Sequence, residues 1–213
     1  MYHFQYVSKN EIASLKNQVI ELIGLVQDEI RNYFTFQYKF IGSVKLNMVT
    51  CDVKSNIGFD FDVNIMVNDG DEEYSAKDIK QILMKAFNKY AYKYHYDFCE
   101  DSTRVFTIKV KDRKNSRILH SCDFAIVNNY SDNLQEYIRF NKKSNSYDWT
   151  EQSDGFYLLP EKIQFCKDNS LWTEVREIYI EKKNSNTDKN KKSRSIFAEA
   201  IHQVCQQNGY FEE

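Results

Sequence analysis

The stretch Phe59-Asp60-Phe61-Asp62-Val63-Asn64-Ile65-Met66-Val67 alternates apolar and polar side chains too regularly for a helix. A strand puts successive side chains on opposite faces. Phe59, Phe61, Val63, Ile65 and Val67 then share one face, and Asp60, Asp62 and Asn64 share the other. Two carboxylates two residues apart project side by side, and their repulsion is costly unless a cation sits between them. Oxygen-only ligation of this kind suits Mg²⁺ or Mn²⁺.

Working outward, Tyr38-Lys39-Phe40-Ile41 reads as the preceding strand, and Gly42-Ser43 ends it. Glycine lets the backbone approach a ligand closely. Serine at such a turn can offer its N–H and its hydroxyl to a phosphate. Downstream, residues 104–110 alternate as a strand, residues 112–116 turn, and residues 118–127 return, a hairpin that delivers Asp123 beside the Asp60/Asp62 strand. His120 and Cys122 fall on the opposite face from Asp123 and read as packing residues. Singly, each feature is ordinary: a half-exposed strand, an edge carboxylate, a turn. Together, a phosphate-binding turn and a carboxylate cluster suit transfer chemistry on a nucleoside triphosphate.

A Gly-Ser turn, a spacer, an Asp-x-Asp strand and a third carboxylate on a later strand resemble the signature of the DNA polymerase β-type nucleotidyltransferase superfamily. Gly42, Ser43, Asp60, Asp62 and Asp123 carry the resemblance. It implies an α+β nucleotidyltransferase fold: a mixed, mainly antiparallel sheet flanked by helices, with a C-terminal helical portion. It also implies transfer of a nucleoside monophosphate from an NTP, ATP foremost, to an acceptor hydroxyl with release of pyrophosphate. On that pattern Asp60, Asp62 and Asp123 are catalytic and hold Mg²⁺ or Mn²⁺, while Gly42 and Ser43 bind the nucleotide. The spacer at residues 44–59 is similar to those of oligoadenylate-synthetase-like and cyclic-oligonucleotide-synthase-like enzymes. Within it, Lys45 and Thr50 either contact the triphosphate or lie on the surface of a hairpin. In related folds a lysine near the C-terminal helices often touches the triphosphate, which draws in Lys142, Lys143, Lys182 and Lys183. The acceptor (nucleotide, RNA, protein or small molecule) stays open. So does a second function, a catalytically inactive module of this fold that binds nucleotide or a partner. Retention of all three carboxylates with Gly42-Ser43 favours the enzyme.

The remaining sequence frames this core. Ser8 and Glu11 form a capping box ahead of Ile12, Leu15, Val19, Leu22, Ile23, Val26 and Ile30, whose helical spacing continues to about Phe34. The acidic run after Asn68 reads as a solvated loop leading into a helix over residues 75–92. The tyrosine-rich residues 92–98 read as core packing with polar tips. Residues 134–140 and 146–150 form a small hairpin, Pro160 begins a helix at its first turn, and residues 171–183 continue the helical pattern. That last segment is similar to the helix after the catalytic sheet in small bacterial nucleotidyltransferase-like proteins. Residues 181–195 carry six basic and two acidic side chains and no apolar one, and read as a mobile loop before a final helix at residues 193–207. The expected division is a catalytic core at residues 1–140 and a C-terminal hairpin and helices at residues 141–213.

With 213 residues, 42% hydrophobic and 15% aromatic, the chain can fill a good-sized core. A net charge of −2 demands no long nucleic-acid track. Five scattered cysteines without a Cys-x-x-Cys fit neither common zinc patterns nor a disulfide framework. No signal-peptide core and no membrane-length apolar run is visible, so a cytoplasmic protein without membrane contact is expected.

Overall fold

The computed structural model describes residues 2–55, 57–70, 72–129, 135–151 and 159–210. They form nine strands and six α-helices: β1 (Phe4–Tyr6), α1 (Lys9–Ile30), β2 (Thr35–Ile41), α2 (Gly42–Lys45), β3 (Thr50–Asp52), β4 (Phe59–Asn68), α3 (Ala76–Tyr90), β5 (Glu100–Asp101), β6 (Phe106–Asp112), β7 (Arg117–Asn129), β8 (Gln135–Asn141), β9 (Ser146–Glu151), α4 (Leu159–Asp168), α5 (Trp172–Ser185) and α6 (Ser193–Gln207). The architecture is α+β. The chain divides into two compact units, one of Tyr6–Cys51 with Asn56–Gln152, the other of Met1–Gln5, Asp52–Ser55 and Ser153–Glu213.

The larger unit is built on a seven-stranded mixed sheet with β2, β4, β7, β6 and β5 in that spatial order; β8 pairs with the far end of β7 and β9 with β8. Only β4 and β7 run parallel, and every other pairing in this sheet is antiparallel. The alternation of β4 sorts its faces as expected: Phe59, Phe61, Val63 and Ile65 are buried, whereas Asp60 is exposed and Asp62 half-buried. The same apolar layer includes His120, Cys122, Phe124 and Ile126 of β7, with Phe106 and Ile108 of β6. The buried stripe of α1 (Val19, Leu22, Ile23, Val26, Ile30) and that of α3 (Ile79, Leu83, Ala86, Phe87) complete this core. Burying each Val, Leu, Ile or Phe of this core contributes roughly 1.5–3 kcal/mol.

Local signals hold these helices in place. Ser8 Oγ accepts from Glu11 N at 3.2 Å, and Ser75 with Asp78 forms a reciprocal capping box at the start of α3. Asp69 accepts from the N–H groups of Glu73 and Tyr74, which settles the acidic loop as a turn into α3. Two expectations change. Helix α1 stops at Ile30, and Phe34 is buried in the segment that leads to β2. Among its described residues the spacer holds no hairpin of its own: Gly42–Lys45 is one short helical turn, and β3 pairs with β1, far away in sequence, in a separate two-stranded sheet.

In the smaller unit, α4, α5 and α6 pack around Cys166, Val175, Tyr179, Ile196, Ala200, Ile201, Val204 and Cys205, all buried. The basic segment is shorter than its composition suggests. Residues 181–185 belong to α5, and Lys183 is buried, its ammonium 3.9 Å from the Phe4 ring centroid. Aromatic faces attract a cation whose aliphatic stem is packed, which explains a lysine in this core. Lys142 and Lys143 lie exposed in the β8–β9 turn. Among the described residues no helix is long and apolar enough to cross a membrane, and all five cysteines are free thiols.

Candidate active site

Strand register assembles a compact polar cluster on the face of the large sheet opposite the apolar layer. Asp62 of β4 lies directly beside Asp123 of β7, and Thr107 of β6 lies directly beyond Asp123. Two residues away along the strands, on the same face, Asp60, Ser121 and Lys109 line up in the same way. The parallel pairing matters, because it lets two distant segments bring carboxylates to the same height of the sheet. Asp60, Asp62 and Asp123 are thus neighbours, as the sequence pattern implied.

Gly42 joins the cluster from the other side. Ile41, the last residue of β2, is the register partner of Asp62, and the chain turns sharply at Gly42 with φ +62. L-residues rarely adopt this backbone conformation. A Cβ on Gly42 would collide with Asp62 Oδ2 and lie 3.2 Å from Asp62 Cγ. The glycine is therefore required twice, by its backbone angle and by the carboxylate against it. Ser43 follows, half-buried, and its carbonyl accepts from Met48 N at 2.9 Å. Lys45 is exposed in the last turn of α2, whereas Thr50 is buried in β3, outside the large sheet.

Electrostatics follow from this crowding. Burial, then the charges of Asp123 and Asp60, raise the Asp62 carboxyl to about 6. Burial also raises Asp123, and Asp60 adds to the effect, while the Thr107 hydroxyl and the Lys109 ammonium work against it. Thr107 Oγ1 donates to Asp123 Oδ1 at 2.6 Å, and Ser121 Oγ donates to Asp60 Oδ1. These two hydroxyls are the functional candidates that sequence reasoning missed. The signal was present, since Ser121 lies two residues before Asp123 and Thr107 sits in an alternating strand. Their partners, however, are fixed only by inter-strand register.

Behind the cluster, His120 stacks on Phe59 with ring centroids 5.5 Å apart and lies 3.1 Å from the Tyr96 hydroxyl. Burial lowers the His120 imidazole to about 4 and raises the Tyr96 phenol. Both belong to the core, His120 on the apolar face of β7 and Tyr96 as a packed ring with a polar tip.

Three neighbouring carboxylates, two with raised pKa, offer oxygen donors of the kind that suits a hard divalent cation. A cation would offset both the burial of Asp62 and its like-charged neighbours. As the side chains lie, no group of three or more His, Cys, Asp or Glu among the described residues could hold a metal ion. Asp60 and Asp123 instead each spend one oxygen on a neighbouring hydroxyl.

No protein-family model matches the chain, and no curated protein does. Solved structures do. The chain is similar over 95% of its length to 62% of the STING-associated CdnE c-di-GMP synthase from Capnocytophaga granulosa, at 18% identity and a TM-score of 0.58. Similarity covers 97% of the chain and 69% of the Vibrio cholerae DncV cyclic AMP-GMP synthase, a prokaryotic cGAS homolog, at 10% identity and a TM-score of 0.65. For the Bradyrhizobium diazoefficiens CD-NTase CdnG, in complex with GTP, the figures are 93%, 67%, 9% and 0.59. The chain thus spans 62–69% of these proteins' length. Likeness at such identities is a likeness of fold: nearly the whole chain takes up the nucleotidyltransferase fold of the CD-NTases.

Proposed function

We propose that the chain is a metal-dependent nucleotidyltransferase that moves a nucleoside monophosphate from an NTP to an acceptor hydroxyl. The observation that carries this reading is the register that places Asp62 beside Asp123 with Gly42 pressed against the Asp62 carboxylate. A structural strand has no need of three crowded carboxylates, two of them with raised pKa.

In this reading Asp60, Asp62 and Asp123 hold Mg²⁺ or Mn²⁺. The metal, when bound, neutralises charge developing on the attacking and leaving oxygens. The acceptor oxygen forms a bond to the α-phosphorus, the bond from that phosphorus to the bridging oxygen breaks, and pyrophosphate leaves. Asp123 is the group assigned to take the proton released by the acceptor, directly or through the metal it helps to hold. Ser43, directly after the Gly42 turn, offers its N–H and hydroxyl to the β- and γ-phosphates. Lys45 and Thr50 are assigned to the same nucleotide on the weaker ground of their place in the spacer. ATP is the first donor to test. The fold neighbours are named as synthases of c-di-GMP and cyclic AMP-GMP, so a nucleotide hydroxyl is the first acceptor to test.

The decisive experiment incubates the chain with each labelled NTP and Mg²⁺ or Mn²⁺, with Asp60→Asn/Asp62→Asn alongside. Pyrophosphate release and a labelled product, both absent in the variant, are expected. Nucleotide binding without pyrophosphate release from any NTP, alone or in pairs, would instead favour a binding module without turnover.

A further inference from the structure

We infer that Thr107 and Ser121 are positioning residues for the cation site, each fixing one carboxylate through a hydroxyl on the neighbouring strand. The inference rests on the metal-site reading above and deepens it. Thr107 is the register partner of Asp123, and its Oγ1 donates to Oδ1 at 2.6 Å. Ser121 is the register partner of Asp60, and its Oγ donates to that Oδ1. The same device therefore recurs two residues along the strands on the same face, in each case from the adjacent strand to a carboxylate of the cluster. Ser121 is 6% exposed. A serine so deeply packed on the polar face of a strand needs a partner, and Asp60 is that partner.

Each hydroxyl occupies one oxygen of its carboxylate and leaves the other for a ligand. Without it, the carboxylate of Asp60 or Asp123 would turn about its terminal torsion, which is soft. Ordering it would then oppose cation binding. The hydroxyl also stabilises negative charge beside like charges, which keeps the cluster assembled before a cation arrives. Groups that orient metal ligands in this way typically account for a 10- to 100-fold difference in affinity. Asp62 has a different support. It is held by packing, with Gly42 against its carboxylate.

The test measures Mn²⁺ binding to the full chain, without nucleotide, from the loss of the free-ion electron paramagnetic resonance signal. Thr107→Val keeps the shape of the side chain and removes the donor; Ser121→Ala does the same on the other rung; Thr107→Ser restores the hydroxyl. The expected result is wild-type binding that Asp62→Asn abolishes, a tenfold or greater loss of affinity in Thr107→Val and in Ser121→Ala, and recovery in Thr107→Ser. Near-wild-type affinity in both donor-free variants, with Asp62→Asn still inactive in binding, overturns the positioning role and leaves the metal site standing. Absence of Mn²⁺ binding in the wild type, or binding undiminished by Asp62→Asn, overturns the metal site itself and the positioning role with it. Circular dichroism of each variant reports whether the sheet is intact, and the two rungs give independent readings.

Discussion

Gly42 has no side chain because Asp62 occupies the space where one would be. A Cβ there would collide with Oδ2 of the carboxylate, and the backbone at φ +62 would strain any L-residue in addition. Two separable costs therefore attend Gly42→Ala. The backbone angle alone costs about 1–2 kcal/mol, and displacement of the carboxylate adds to it. We expect Gly42→Ala to lower the unfolding free energy by about 2–3 kcal/mol in urea titration. In an Asp62→Ala background the same change should cost only the backbone share, so a double-mutant cycle should report coupling of about 1 kcal/mol. An equal cost in both backgrounds would show that the contact does not explain the glycine.

Asp62 should make the metal-free protein less stable as pH rises. Its carboxyl titrates near 6 in the fold, against 3.8 for an unperturbed side chain. Between those values the folded state holds more protons than the unfolded state, so raising the pH favours unfolding, and above about 6 the full penalty is present. Asp62→Asn removes it. In EDTA at pH 7.5 the variant should be more stable than wild type by about 1–3 kcal/mol, with the gain vanishing near pH 4. A gain in stability from removing this half-buried charge, paired with loss of transfer, would mark the residue as one kept for function. A variant no more stable than wild type at pH 7.5 would count against the crowding described here.

His120 works in the opposite sense. Its imidazole is held at about 4, below the ordinary 6.5, because burial excludes the charged form. The unfolded chain takes up that proton first as pH falls, so stability contributed by neutral His120 is complete above about 6.5 and is lost towards pH 4. In wild type the Asp62 and His120 slopes oppose one another over this range. We expect Asp62→Asn to unmask the histidine: its denaturation midpoint should climb from pH 4.5 to 6.5 more steeply than that of wild type. Parallel profiles for the two proteins would sink this assignment.

What the sequence made legible, and what it hid, divides along the range of the interactions. Alternation in β4 and β7 fixed which side of each strand Asp60, Asp62 and Asp123 occupy, because a period of two is a local property. The cap pattern of Ser8 and Glu11 marked the start of α1 for the same reason. Register was not legible. Nothing local says that Thr107 stands beside Asp123 or that Ser121 reaches Asp60, since those pairs depend on how three strands align. The short helical turn of Gly42–Lys45 and the pairing of β3 with β1 were hidden likewise, being settled by contacts far along the chain. Lys183 misled in the other direction. A run of charged residues around it reads as a solvated loop, yet its stem is packed and its ammonium rests on Phe4.

A second charge buried in the larger unit is purely structural, and its two partners should not be equally costly to remove. Lys80 of α3 is 1% exposed, with its ammonium 2.7 Å from Asp101 Oδ1 and 3.0 Å from the Ser102 carbonyl oxygen. Burial pulls the lysine pKa down, and Asp101 pulls it back up. Tyr147 of β9 donates to the other Asp101 oxygen at 2.7 Å and stacks on Phe140 of β8. One carboxylate therefore ties helix α3 to the β8–β9 hairpin. Asp101→Ala leaves a buried ammonium without its counter-charge and a tyrosine without its acceptor, a loss of about 3–5 kcal/mol. Lys80→Met removes the charge itself and fills most of its volume; the Asp101 left behind keeps its bond to Tyr147 through Oδ2, and only its buried Oδ1 loses its counter-charge. That change should cost about 1–2 kcal/mol. Urea denaturation of the two variants should rank Asp101→Ala as the more damaging, and Lys80→Met added to it should recover part of the loss. If Lys80→Met proved the worse of the two, the aspartate would not be the counter-charge that keeps this lysine in the core.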